Sequence, residues 1–206
     1  MVMLISETVP AHHLAYDLAL DAFIASKGVH DVPGIFHAVR KLGYFSSGER
    51  SAEAVMRSGR GACTAKHILL RDLLRRHGEM AEVELVAGDF AAGMPQTASM
   101  PLPLRDMIRN AGIPDFHCYV VWQNAGHEVR LDATWPDALA FHGFPVNAGW
   151  DGTGDTVLAI GPNGILAREE DVITAKARLL AGLTADQAGK RRLFLKLLSD
   201  WIATIS

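Results

Sequence analysis

Cysteine is nearly absent from this chain of 206 residues: there are two, Cys63 and Cys118. Two thiols are too few for a disulfide framework or a tetrahedral thiolate zinc site, and a chain of this length buries enough surface to fold without either. Charge of one sign is also missing. Lys and Arg number 20 against 23 Asp and Glu, a net charge of −3, so no basic field points to nucleic acid. No run of eighteen apolar residues is present, which argues against a membrane-spanning helix, and the opening MVMLISETVPAHHL has neither the basic start nor the cleavage site of a secretory leader. The expectation is a single cytoplasmic domain over 1–206, in a reducing setting where a thiol stays a thiol.

What is present changes period along the chain. Helical spacing marks 11–27, 34–42, 52–56 and 62–77, the last carrying Leu69, Leu70, Leu73 and Leu74 and closed by Gly78. Alternation then predicts strands over 82–87, 116–122, 127–131 and 155–160. Between the first two lies an irregular stretch, 88–115, rich in Gly, Pro, Ser and Met, with helical turns around Leu104–Asn110. Helices return over 169–180 and 185–204. Helices, then strands, then helices is an α+β order with an antiparallel sheet.

Cys63 opens a helix after Gly59-Arg60-Gly61-Ala62. Unpaired N–H groups and the positive end of the helix dipole favour a thiolate there, and the same N–H groups can hold a developing oxyanion. A buried cysteine acting as a small hydrophobe is the competing reading. In the strand pair, a four-residue loop 123–126 would set Trp122 opposite His127 and His117 opposite Asp132. Opposed side chains lie about 4.5–5.5 Å apart at Cβ, which lets an imidazole reach a carboxylate. The same alternation puts Cys118 with Val120 and Leu131, facing the core. A nucleophile, a base and a group to orient it are then all present.

The segment Ser51-Ala52-Glu53-Ala54-Val55-Met56-Arg57-Ser58-Gly59-Arg60-Gly61-Ala62-Cys63, followed by the Leu-rich helix, resembles the nucleophile segment of the transglutaminase-like superfamily. Phe116-His117-Cys118-Tyr119-Val120-Val121 resembles its histidine strand, and Val129-Arg130-Leu131-Asp132-Ala133-Thr134 its aspartate strand. The three occur in the family's order within about 33–135. The resemblance implies a papain-like core, with the cysteine on a central helix packed on an antiparallel sheet and extra helices at both ends. It also implies thiol chemistry without metal or organic cofactor. By position, Cys63 is the nucleophile, His117 the base and then acid, and Asp132 the orienting carboxylate. The Cys63 N–H and, from an upstream segment, Tyr44 are the oxyanion donors to expect. Ala62, Tyr119 and Ala133 stand where the family often has Asp, Trp and Pro, which marks a divergent branch.

The implied activity is attack on an amide or ester through a thioester acyl-enzyme, with hydrolysis of a peptide, protein or small acyl substrate as the leading reading. Transfer of the acyl group to an amine, as an acyltransferase or transglutaminase would do, and a catalytically silent binding module of the same fold are the alternatives. No nucleic acid and no membrane partner are expected. Trp135 in the loop after the aspartate, Tyr119 on the strand face of His117, and Met94 in the irregular segment are candidate walls of a substrate site, with core packing the competing reading. His67, one turn after Cys63, faces the same side of the helix, though a packed histidine is the plainer reading.

Overall fold

The computed structural model describes residues 11–205. Residues 1–10 of the opening segment read for a leader lie outside that range. The helices are α1 (Ala11–Lys27), α2 (Val32–Arg40), α3 (Ala52–Ser58), α4 (Cys63–Arg76), α5 (Leu102–Asn110), α6 (Val172–Ala181) and α7 (Ala185–Ile205). The strands are β1 (Gly43–Tyr44), β2 (Arg60–Gly61), β3 (Ala81–Asp89), β4 (Pro114–Asn124), β5 (His127–Leu131) and β6 (Pro162–Arg168). Strands β3 to β6 form one antiparallel sheet in the order β5-β4-β3-β6, and β1 and β2 pair as a short parallel ribbon. The architecture is mixed α+β.

Local chemistry places the helix ends. Asp31 caps α2 by accepting from the Gly34 N–H at 2.7 Å, with Pro33 in the first turn. Ser51 caps α3, and Gly59 ends it in the left-handed region at φ 68°. The sheet divides two apolar clusters. On one side α4, with Leu69, Leu70, Leu73 and Leu74 fully buried, packs against Val83, Leu85, Cys118, Val120 and Leu131, backed by α1, α2 and α3. On the other side Val86, Tyr119 and Val121 meet residues of α5, α7 and the loop after β5.

Two expectations are corrected. The β4–β5 loop has two residues, Ala125 and Gly126, both at positive φ (50° and 84°), so Asn124 faces His127 and Val120 faces Leu131. Both central residues at positive φ match the tight hairpin turn whose twist suits the flanking strands. His117 is therefore diagonal to Asp132 and not opposite it. The shift is two residues, and because side chains alternate with period two, every residue keeps its face. The strand expected at 155–160 lies instead at Pro162–Arg168, as an edge strand with Ile165 and Leu166 exposed. Residues 155–160 are irregular because their backbone and side chains are bonded to β5 and to Asp132, as described below. No helix among the described residues is long and apolar enough to cross a membrane.

Candidate functional site

Cys63 is the first residue of α4, preceded by Ala62, which offers no side-chain acceptor to the helix start. The first N–H groups of the helix are thus left for a ligand. The approach to Cys63 is set by Gly61. A Cβ there would lie 2.6 Å from Val55 Cγ2, so the close crossing of α3 and β2 requires glycine. The thiol is 3% exposed and opens on a cavity of about 360 Å³, within the range of small-molecule sites. Tyr44, the 45–50 loop, Thr64, Asp115, Lys176 and one face of α7 complete the wall.

The His117 Nε2 lies 2.8 Å from Asp132 Oδ2, both groups fully buried. Asp132 is saturated with donors: Oδ2 also accepts from the Ala159 N–H at 2.7 Å, and Oδ1 from the Thr134 N–H at 2.9 Å. Its own N–H donates to Thr156 Oγ1, and its carbonyl accepts from Asn147 Nδ2. Burial would raise the Asp132 carboxyl, but the His117 charge and the His117 hydrogen bond hold it well below the usual carboxylate range. With Nε2 engaged, Nδ1 is the ring nitrogen left over; it makes no hydrogen bond at rest and lies within the electrostatic reach of Cys63. Burial would lower the His117 imidazole. The Asp132 and Cys63 charges overcome it and push it up to about 10.

The thiol itself is shifted the other way. The neighbouring Cys118 thiol lowers Cys63 most; burial opposes it, and the Lys176 and His117 charges lower it further. The net direction is well below an ordinary thiol, while Cys118 is pushed well above, chiefly by burial. Cys118 thus packs in the core as expected, and its nearby thiol favours the anionic form of Cys63. Both thiols are free.

Three other sequence expectations meet a different fate. Trp135 is 2% exposed, packed between Tyr44, Phe90 and Phe144. Tyr119 is buried and donates its hydroxyl to Glu84, and Met94 lies in the same aromatic-rich cluster. None of the three lines the cavity, because the sheet face and the loop that carry them turn into the cluster on the α5–α7 side. Tyr44 does line it: its ring packs on Trp135 at 5.0 Å, and burial, with the nearby Cys63 and Asp115 charges, keeps its hydroxyl protonated. His67 is not directed at Cys63. Its Nε2 accepts the Ala133 N–H at 2.8 Å, so it holds the chain just past Asp132 and cannot also donate to that carboxylate 3.5 Å away.

Two buried lysines were missed. Lys66 donates to the carbonyls of Arg40, Leu42 and Thr134 at 2.9–3.0 Å, and Lys176 places Nζ 3.7 Å from Cys63 Sγ. Lys176 is 2% exposed and 3.9 Å from Asp115 Oδ1, which Arg191 also engages at 2.8 Å. A signal existed: Val172, Ala175, Lys176 and Leu179 fall on one helical stripe, so a lysine stands among core positions. No group of three or more metal-ligating side chains occurs among the described residues.

No protein-family model matches the chain, and no curated protein matches it. Among solved structures, the chain is similar to a candidate cysteine protease from Cytophaga hutchinsonii, with 18% identity and a TM-score of 0.41 over 61% of this chain. The chain spans 40% of that protein's length. A likeness of that degree is coarse.

Proposed function

We propose that this chain is a cysteine enzyme that cleaves an amide or ester bond of a small acyl substrate. The observation that carries the reading is a buried thiol, lowered in pKa, at a helix start that opens on a cavity, with a histidine beside it whose far nitrogen is bonded to a saturated carboxylate. The resemblance to the transglutaminase-like superfamily supports the same assignment of Cys63, His117 and Asp132. The cavity volume favours a small acyl group over a long polypeptide.

In this reading the Cys63 sulfur attacks the carbonyl carbon, a C–S bond forms, and the carbonyl electron pair moves to oxygen. The Cys63 N–H at the helix start faces the oxyanion. His117, protonated at neutral pH, gives the Nδ1 proton to the leaving nitrogen or oxygen as that bond breaks. A thioester remains. Water attacks it, His117 takes the water's proton, and the acid leaves with the sulfur restored as thiolate. Asp132 keeps Nε2 protonated throughout and so fixes which nitrogen does the work. The test is labelling with iodoacetamide at pH 6–7, followed by mass analysis of the site. Cys63 should react faster than free cysteine, and Cys63→Ala should abolish burst release from an activated ester. Reaction no faster than free cysteine would overturn the reading.

A further inference from the structure

We propose that Lys176 is a catalytic residue of this site: its ammonium pairs with the Cys63 sulfur at rest and donates to the oxyanion once the sulfur has attacked. This rests on the acyl chemistry proposed above. The pairing of charges carries it. Asp115 Oδ1 accepts from the Phe116 N–H and from Arg191 Nε, both at 2.8 Å, and Arg191 Nη2 also lies at 2.8 Å. Asp115 is therefore already neutralised by Arg191, as Asp132 is by His117. The charges left over are the Lys176 ammonium and the sulfur, 3.7 Å apart in a buried wall.

The ammonium has three N–H groups, and the sulfur is its sole hydrogen-bond acceptor among the described residues. Lys176 lines the same cavity as Cys63 and Tyr44, so a carbonyl brought to the sulfur arrives beside unspent donors. As the C–S bond forms, the negative charge leaves the sulfur and appears on oxygen. The ammonium then loses its anionic partner and gains another within the same wall. An interaction that grows as charge develops stabilises the transition state more than the ground state. Tyr44, held protonated, stands on the same wall as a second donor. The groups that face the sulfur are Cys118, His117 and Asp115 of β4, Tyr44 of β1, Lys176 of α6, Arg191 of α7 and Lys66 of its own helix. Removing Lys176 leaves the Asp115–Arg191 pair and the His117–Asp132 pair in place.

The experiment uses the full chain and two readouts, the pH of half-maximal Cys63 alkylation by iodoacetamide and the burst rate with p-nitrophenyl acetate. Lys176→Met should move the alkylation midpoint to higher pH. It should also slow the burst about 100-fold when compared at a pH where the thiolate is fully formed. Lys176→Arg should recover part of both. A folded Lys176→Met protein with both readouts unchanged overturns the proposal, and a shifted midpoint with an unchanged burst overturns the oxyanion role. If Lys176→Met does not fold, Lys176→Gln is measured in the same way. If neither variant folds, the ratio of iodoacetate to iodoacetamide rates in His117→Gln, which lacks the other cation near the sulfur, decides. A ratio above that of free cysteine supports a cation at the sulfur, and an equal ratio overturns it. Wild-type Cys63 reacting no faster than free cysteine overturns the acyl chemistry itself, before any Lys176 variant is made.

Discussion

Two lysines lie buried near the start of α4, Lys66 on that helix and Lys176 on α6, and they are held in opposite ways. Lys66 is wrapped by three backbone carbonyls at 2.9–3.0 Å, all of its donors spent. Burial depresses it to about 7, because neutral dipoles satisfy its geometry without matching its charge. Lys176 has one hydrogen bond, to the sulfur, and a loose ion pair with Asp115 at 3.9 Å; burial would lower it too, but the Cys63 and Asp115 charges raise it. A fully bonded cation ties the end of α2, the start of β1 and the chain after Asp132 together. An under-bonded cation beside a nucleophile keeps its donors for a ligand. Burial alone does not tell a structural lysine from a chemical one; the partners do.

The largest expected effect is on the other cation of the site. Asp132→Asn keeps the size of the side chain but removes the charge that holds the His117 tautomer. It should lower the burst rate with an activated ester about 10²–10⁴-fold. A smaller loss would shift the weight of catalysis toward the Lys176 side. Next, Lys66→Met orphans three buried carbonyls and should cost about 2–4 kcal/mol in urea denaturation. The pH midpoint of Cys63 alkylation should stay near that of the wild type. A large shift of that midpoint would mean that the two lysines are not separable.

The third test uses pH. Lys66 titrates near 7 folded against 10.5 when exposed, so between these values the unfolded chain binds more protons and stability rises with pH. His117, at about 10 folded against 6.5, contributes stability that is full below 6.5 and is lost as pH rises through 10. The two slopes oppose each other in the wild type. The stability difference between wild type and Lys66→Met should therefore grow from pH 7 to pH 9 in urea titrations. A flat difference would show that Lys66 keeps its ordinary proton affinity. The smallest effect belongs to Met94→Leu, a nearly volume-conserving change in the aromatic-rich cluster. It should cost under about 1.5 kcal/mol and leave the KM for any ester substrate unchanged. A KM shift would return Met94 to the substrate wall.

Much of the site was legible because its signals are local. Gly61 and Ala62 before a Leu-rich helix mark Cys63 as a helix start, and the two-residue period of a strand assigns His117, Tyr119 and Asp132 to one face whatever the loop length. The hairpin expectation was off by two residues and still brought the right pair together, since a shift of two preserves the face. The diagonal geometry was not legible, because a turn of two residues or four depends on whether Ala125 accepts positive φ. For Trp135 and Met94 the sequence left cavity wall and core packing both open for a plain reason: large apolar side chains near a site look alike whether they line it or pack behind it.

By itself the sequence determined the element types, the parity of β4 and β5 and the position of Cys63, because each depends on neighbours within a turn or a strand. Only the tertiary structure decided which charges meet. Lys176 lies 113 residues from the sulfur it touches, Asn147, Thr156 and Ala159 reach Asp132 from an irregular loop, and Asp115 and Arg191 are joined across 76 residues. Electrostatics in a buried site depends on distance in space and on what else fills the volume, and neither is written in the spacing of residues along the chain.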